Sequence, residues 1–172
     1  MSGNIRLRTL EKDDLEFMHH LNNDPAIMTF WFEEPYRSLT HLQNMYDENL
    51  KNESARQFII AKGDEKIGFI GLFGFEGVHR KAEFGIMIDT KHQGKGYAKI
   101  ATRLAMDYAF KRMNVRKLNL IVDQYNEKAI HVYEKMGFKK EAVLEKEFFV
   151  NGEHHDVLMM RIFQDEYMAI SE

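Results

Sequence analysis

EFGIMIDTKHQGKGYAKIA, residues 83–101, joins a strand-like run to a helix-like run through two closely spaced glycines. Gly94 and Gly96 suit a main chain that must take positive φ and let a ligand come close, because glycine has no Cβ. The first N–H groups of the helix that follows lack partners and carry partial positive charge. Such a junction is built for an anion, and phosphate is the first candidate. Lys91, Lys95 and Lys99 add local positive charge. A mononucleotide loop requires G-x-x-x-x-G-K-[ST], which is absent. A dinucleotide loop requires glycine or alanine where Lys99 stands. The hexad Gln93-Gly94-Lys95-Gly96-Tyr97-Ala98 instead fits [RQ]-x-x-G-x-[GA]. Taken alone, a Gly-x-Gly is also compatible with an ordinary turn.

Outward from this junction the chain reads as a mixed protein. Ile5, Leu7 and Thr9 alternate with arginines, which predicts a strand. Asp13-Asp14 opens a helix through Leu15, Phe17, Met18 and Leu21. Residues 24–37 (DPAIMTFWFEEPYR) are aromatic, acidic and broken by Pro25 and Pro35. Ser38 caps a helix to about Leu50, with Leu39, Leu42, Met45, Tyr46 and Leu50 expected inward. Residues 58–61 and 66–75 form a hairpin about Gly63-Asp64. A further strand runs from Val78 or His79 to Asp89. Residues 94–112 are expected as a helix with Ile100, Leu104, Ala105, Tyr108 and Ala109 on one face. Lys117–Val122 is a buried strand. Asn126–Met136 is a helix stopped by Gly137. Residues 138–150 are partly extended, Asn151-Gly152 turns, and Val157–Phe163 returns.

The 172 residues, 44% of them apolar, fit one domain spanning 1–172 with a real core. The fold class is α+β, in three α/β layers: a mostly antiparallel sheet flanked by helices around a central β-α-β unit. No cysteine is present, which excludes disulfides, thiolate metal sites and a cysteine nucleophile. No metal site is expected. MSGNIRLRTLEKDDLEF holds no long apolar stretch, so no signal peptide is expected. No run approaches the roughly 18 apolar residues of a membrane helix. The expected compartment is the cytoplasm. With 24 basic against 27 acidic residues, net charge −3, no nucleic-acid partner is expected.

The hexad, the strand before it, Asn126 and the YEKMGF segment at 133–138 resemble the GNAT superfamily of N-acetyltransferases. LNN at 21–23, IM at 27–28, FWFEEPY at 30–36, HR at 79–80, AEF at 82–84 and FFVNG at 148–152 are similar to bacterial spermidine N-acetyltransferases, in order and over almost the whole chain. The resemblance implies acetyl-CoA as cosubstrate, with its pyrophosphate on residues 93–98 and its pantetheine arm along the main chain of Ile86, Met87 and Ile88. It implies that Asn126 binds the coenzyme and that Tyr133 protonates the departing thiolate. Lys135 either touches the coenzyme or answers the helix dipole. Glu83 is implied at the acceptor end, to take the amine's proton or hold the cationic amine.

Met28, Trp31, Glu33 and Glu34 are expected at the acceptor. Carboxylates suit ammonium ends, and aromatic rings suit cation–π contact with a flexible polyamine. An apolar cluster with two exposed acids is the other reading of the same stretch. Gly71, Gly74 and Ala55, with Arg37 and His41, stand where the polyamine enzymes are usually acidic, which bears on any separate regulatory polyamine site. Direct transfer in a ternary complex to spermidine or spermine is the expected activity. A protein N-terminus or another small amine as acceptor, or a non-catalytic polyamine or acyl-CoA sensor, are the alternatives. The resemblance also implies a homo-oligomer, commonly a dodecamer.

Overall fold

The computed structural model describes residues 4–171, so both ends of the expected 1–172 domain lie outside it. Seven strands form one sheet in the order β1-β2-β3-β4-β5-β7-β6. The strands are β1 (Ile5–Thr9), β2 (Arg56–Lys62), β3 (Glu65–Glu76), β4 (Lys81–Ile88), β5 (Lys117–Asp123), β6 (Lys139–Val150) and β7 (Glu153–Phe163). Every neighbouring pair is antiparallel except β4 and β5, which are parallel and joined by a helical crossover.

Helices cover both faces. α1 (Leu15–Asn22), α2 (Pro25–Met28) and α3 (Leu39–Asn49) pack on one, around Leu21, Met28, Ile59, Phe69 and Met87. α4 (Tyr97–Asp107), α5 (Glu127–Lys135) and α6 (Gln164–Ser171) pack on the other, around Ile60, Ile70, Leu118, Phe110 and Met160. This explains the unbroken apolar run FIIA in β2. Phe58 and Ile60 serve one face and Ile59 the other, so strict polar alternation disappears.

Local signals set many boundaries. The Ser38 hydroxyl accepts from the His41 N–H at 3.1 Å and caps α3. Asp24 caps α2 in the same way, with Pro25 at the first helical position. Asn151 and Gly152 both take positive φ, the requirement of a two-residue hairpin turn.

Several expectations are corrected. Residues 25–31 are short helical turns, because Asp24 and Pro25 together nucleate one. Met45 and Leu50 lie exposed rather than inward. Ile100 is also exposed, since α4 begins at Tyr97 and its buried stripe is Ala101, Ala105 and Met106. The last turn before β5, Tyr108–Arg112, is π-helical. β4 begins at Lys81, and β7 already at Glu153. α6 was not foreseen.

Candidate active site

The central strands part company at Glu83. β4 pairs with β5 only across Lys81–Glu83 and Lys117–Asn119. β3 follows β4 all the way to Ile88, and β7 follows β5 to Asp123. The sheet therefore splays open between β4 and β5, with Glu83 and Asn119 at the vertex. From Phe84 to Ile88 one edge of β4 has no strand partner. An unpaired edge is a row of main-chain donors and acceptors ready for an extended, amide-bearing ligand.

The direction of those groups follows from the ladder. The Asp89 N–H donates to the Ile67 carbonyl on the β3 side. Main-chain groups alternate along an antiparallel strand, so Met87 also faces β3, while Ile86 and Ile88 face the open edge. Of the three residues expected to meet pantetheine, Ile86 and Ile88 turn their main-chain groups to the open edge and Met87 turns its own to β3. Met87 points its side chain into the core beneath α1–α3. Both open-edge carbonyls already have side-chain donors. Trp31 Nε1 donates to Ile86 at 2.9 Å, and Gln93 Nε2 to Ile88 at 3.0 Å.

The glycine loop lies at the mouth of this opening. Gly94 has φ 74° and Gly96 φ 78°, with no atom within 4 Å of where a Cβ would stand on either. The requirement is one of backbone conformation, and the space above stays open for a ligand. Gly96 caps α4, leaving the N–H groups of Tyr97, Ala98 and Lys99 in its first turn. The side chains behave less uniformly than expected. Lys95 donates back to the Lys91 carbonyl at 3.0 Å. Tyr97 accepts from Lys62 at 2.9 Å, and so braces α4 against β2. Gln93 braces the loop against the strand end.

α5 flanks the opening on the α4 side. Asn126 caps it, its side-chain oxygen accepting from the Ala129 N–H at 3.3 Å. Two turns later the Tyr133 ring stands edge-on to Phe84 of β4 at 6.2 Å and to Phe138 at 5.8 Å. Burial pushes its hydroxyl up to about 12, so the phenol holds its proton at any physiological pH. Lys135 lies exposed in the last turn of α5, the position that answers a helix dipole.

Glu83 retains much open surface, but protein crowds its carboxyl and desolvation raises it above the ordinary glutamate value. Among the described residues its carboxylate has no hydrogen-bond or ion-pair partner. A carboxylate left this way at a vertex is free to take a proton.

The acceptor-side residues divide. Trp31 lies over β4, its ring 2.8 Å from where a Cβ on Gly85 would stand. Glu33 is exposed and meets Arg37 at 3.2 Å. Both border a cavity of about 200 Å³ between α1, α3 and the sheet, with Trp31 and Met87 in its wall. Glu34 is exposed. Met28 buries its side chain wholly in the α1–α3 core, so only its main chain is left to meet a ligand. At Gly71 the Phe73 ring occupies the space of a side chain, with a built Cβ only 2.0 Å from it. That position offers packing where a carboxylate was usual.

Two features escaped the sequence. Phe32, at φ 57°, stacks on Phe148 and fastens residues 29–36 to β6. Asp123, buried at the end of β5, holds His155 Nδ1 at 2.5 Å and the Tyr125 N–H at 2.9 Å. It thereby shapes the turn that delivers Asn126. The adjacent pair His154-His155 gave no hint of that partner.

A splayed parallel pair, a glycine loop at its mouth and a tyrosine-bearing helix alongside define an acyltransferase scaffold that takes an extended thioester cosubstrate. Residues 4–139 match the acetyltransferase (GNAT) domain, and the chain belongs to that family. It is 46% identical to the spermidine N(1)-acetyltransferase of Escherichia coli K12, over 96% of this chain and 89% of that one. It superposes with a TM-score of 0.94 on spermidine N-acetyltransferase from Vibrio cholerae in complex with CoA and spermine, at 42% identity over 95% and 98% of the two chains. A dodecameric structure of the Vibrio cholerae enzyme matches at 0.88, with 41% identity over 98% of both chains.

Proposed function

We propose that this protein transfers the acetyl group of acetyl-CoA to a primary amine of spermidine or spermine, by direct attack within a ternary complex. The observation that carries the reading is the unpaired β4 edge, running from the Glu83 vertex to the glycine loop. Its length and donors suit a pantetheine arm, and its ends suit a thioester and a pyrophosphate. Similarity to enzymes named for spermidine, one of them crystallised with CoA and spermine, supports the acceptor class.

The chemistry assigns one task to each group. The attacking nitrogen must be neutral, a minor form at neutral pH for an alkylamine with a pKa near about 10. Attack at the thioester carbonyl forms the C–N bond and puts negative charge on oxygen. The Ile86 N–H on the open edge donates to that oxyanion. The new nitrogen is strongly acidic, and Glu83 takes its proton, directly or through one water. Collapse breaks the C–S bond, and Tyr133 gives its proton to the leaving thiolate. The raised hydroxyl of Tyr133 keeps that proton available until a strong base appears beside it. The N–H groups around Gly94, Gly96, Tyr97 and Ala98 hold the pyrophosphate, with Asn126 beside the arm.

Trp31, Glu33 and Glu34 supply ring faces and carboxylates to the distal ammonium groups. The match to a dodecameric relative supports a homo-oligomer. No helix among the described residues is long and apolar enough to cross a membrane. The test is thiol release from acetyl-CoA with spermidine, spermine, putrescine, amino acids and peptide N-termini. Release with the polyamines and little with the others is expected. Equal release with peptide N-termini would overturn the acceptor assignment.

A further inference from the structure

Trp31 is the chain's sole tryptophan, and its indole N–H donates to the Ile86 carbonyl on the open edge. Its indole lies over Gly85, where any side chain would collide with the ring at 2.8 Å. Phe69 of β3 supports the ring at 6.3 Å. The indole is therefore seated on bare backbone and tied to the Ile86 carbonyl at 2.9 Å. That carbonyl is also the acceptor that an amide N–H of an extended arm would seek on this edge. The indole N–H thus already sits on the oxygen that the arm would use.

We propose that Trp31 competes with the thioester arm for the Ile86 carbonyl, and that Gly85 is the positioning residue that makes the competition possible. The inference rests on the reading of the open edge as the cosubstrate site. Trp31 is followed directly by Phe32, Glu33 and Glu34, and Phe32 anchors this segment on β6. Release of the indole by the arriving arm therefore acts on the carboxylates that face the acceptor. Linkage makes the effect reciprocal, so an acceptor that pulls on the segment alters affinity for the arm. The tie shapes the empty acceptor side and yields when the cosubstrate enters.

Trp31→Phe keeps a ring over Gly85 and removes the N–H. The variant is expected to bind CoA several-fold more tightly, up to about tenfold for one lost competing hydrogen bond. Its KM for spermidine, measured below saturating acetyl-CoA where the wild type still keeps the tie, is expected to rise by a similar factor, because the acceptor segment has lost its tether. Damage to packing alone would weaken both ligands together, so opposite directions separate the two roles. CoA added to the wild type should shift Trp31 emission, as the indole loses a buried partner. The same titration on Gly85→Ala, followed through KM for spermidine, should show a smaller shift and the same rise in KM. Unchanged emission at saturating CoA, or CoA affinity in Trp31→Phe that stays equal or falls, would overturn the competition. Failure of the wild type to bind CoA by calorimetry would instead remove the proposed function, and this inference with it.

Discussion

Phe32 and Phe148 lie face to face, with ring centroids 4.3 Å apart and planes inclined by 10°. One belongs to the segment between α2 and α3, the other to β6 at the far edge of the sheet. Their contact ties the acidic segment 33–34 to the C-terminal hairpin across the open side of the splay. A stacked aromatic pair contributes about 0.5–1.5 kcal/mol beyond its buried area. Phe32→Ala should therefore lower the melting temperature by about 2–4 °C for each kcal/mol lost. The more telling outcome is kinetic. KM for spermidine should change by more than CoA affinity measured by calorimetry, because neither ring touches the glycine loop and any effect on the arm passes only through Trp31.

Tyr133→Phe keeps the edge contacts with Phe84 and Phe138 and removes only the hydroxyl. Folding should be preserved by circular dichroism, and kcat should drop by about 10²–10⁴, the usual reach of a positioned acid. With the Tyr133 hydroxyl pushed up to about 12, its ionisation cannot limit the rate at moderately alkaline pH. The wild-type rate should keep rising toward about pH 10 as more of the amine becomes neutral. A fall beginning near neutrality would contradict the assigned role.

Glu83 carries a testable conflict between activity and stability. Desolvation raises its carboxyl in the folded state, so folded protein binds this proton more tightly than unfolded protein. The contribution therefore favours folding at low pH and diminishes as the pH rises from the ordinary glutamate value through the raised one. Glu83→Gln should be at least as stable as wild type at pH 7 in urea melts. It should also be slower by about 10²–10⁴ and should lose only the limb set by the carboxyl, keeping the rise toward alkaline pH that the amine sets.

Asp14 shows the opposite sign, remote from the site. Burial favours its neutral form, but hydrogen bonds from Arg8 at 2.7 Å, the Glu11 N–H at 2.9 Å and Lys66 at 2.9 Å outweigh this and hold the carboxyl below its usual range. Its contribution is complete above the unfolded value near about 3.9 and is lost as the pH falls further. Asp14→Asn should cost about 1.5–3 kcal/mol at pH 7, on the scale of hydrogen bonds to charged groups. The difference from wild type should shrink in melts between about pH 5 and pH 2.

Local chemistry wrote much of this fold plainly into the chain. Ser38, Gly137 and Asn151-Gly152 act within a few residues of themselves, and the elements they bound appear where their signals lie. The glycine loop was legible for the same reason. The splay was not, because it is decided by where β5 stops pairing with β4, a relation between distant segments. The facing of Ile86 and Ile88, rather than Met87, depends on the ladder phase that β3 imposes. Trp31 over Gly85 and Phe32 on Phe148 are likewise contacts of fold, with no sequence periodicity to betray them. The burial of the Met28 side chain was equally hidden, because a short match to the family carries no information about burial. α6 escaped notice because Tyr167 is its one buried residue, which leaves no apolar stripe to detect.

A crystal structure of the complex with CoA and spermine tests the central claim most directly. The arm's amides should lie about 2.7–3.2 Å from main-chain groups of Ile86 and Ile88, with pyrophosphate oxygens at the same range from the N–H groups of residues 94–98. The sulfur should lie between Tyr133 and Glu83, with a spermine nitrogen on the Glu83 side. CoA bound away from the β4 edge, with the splay left unfilled, would contradict the account.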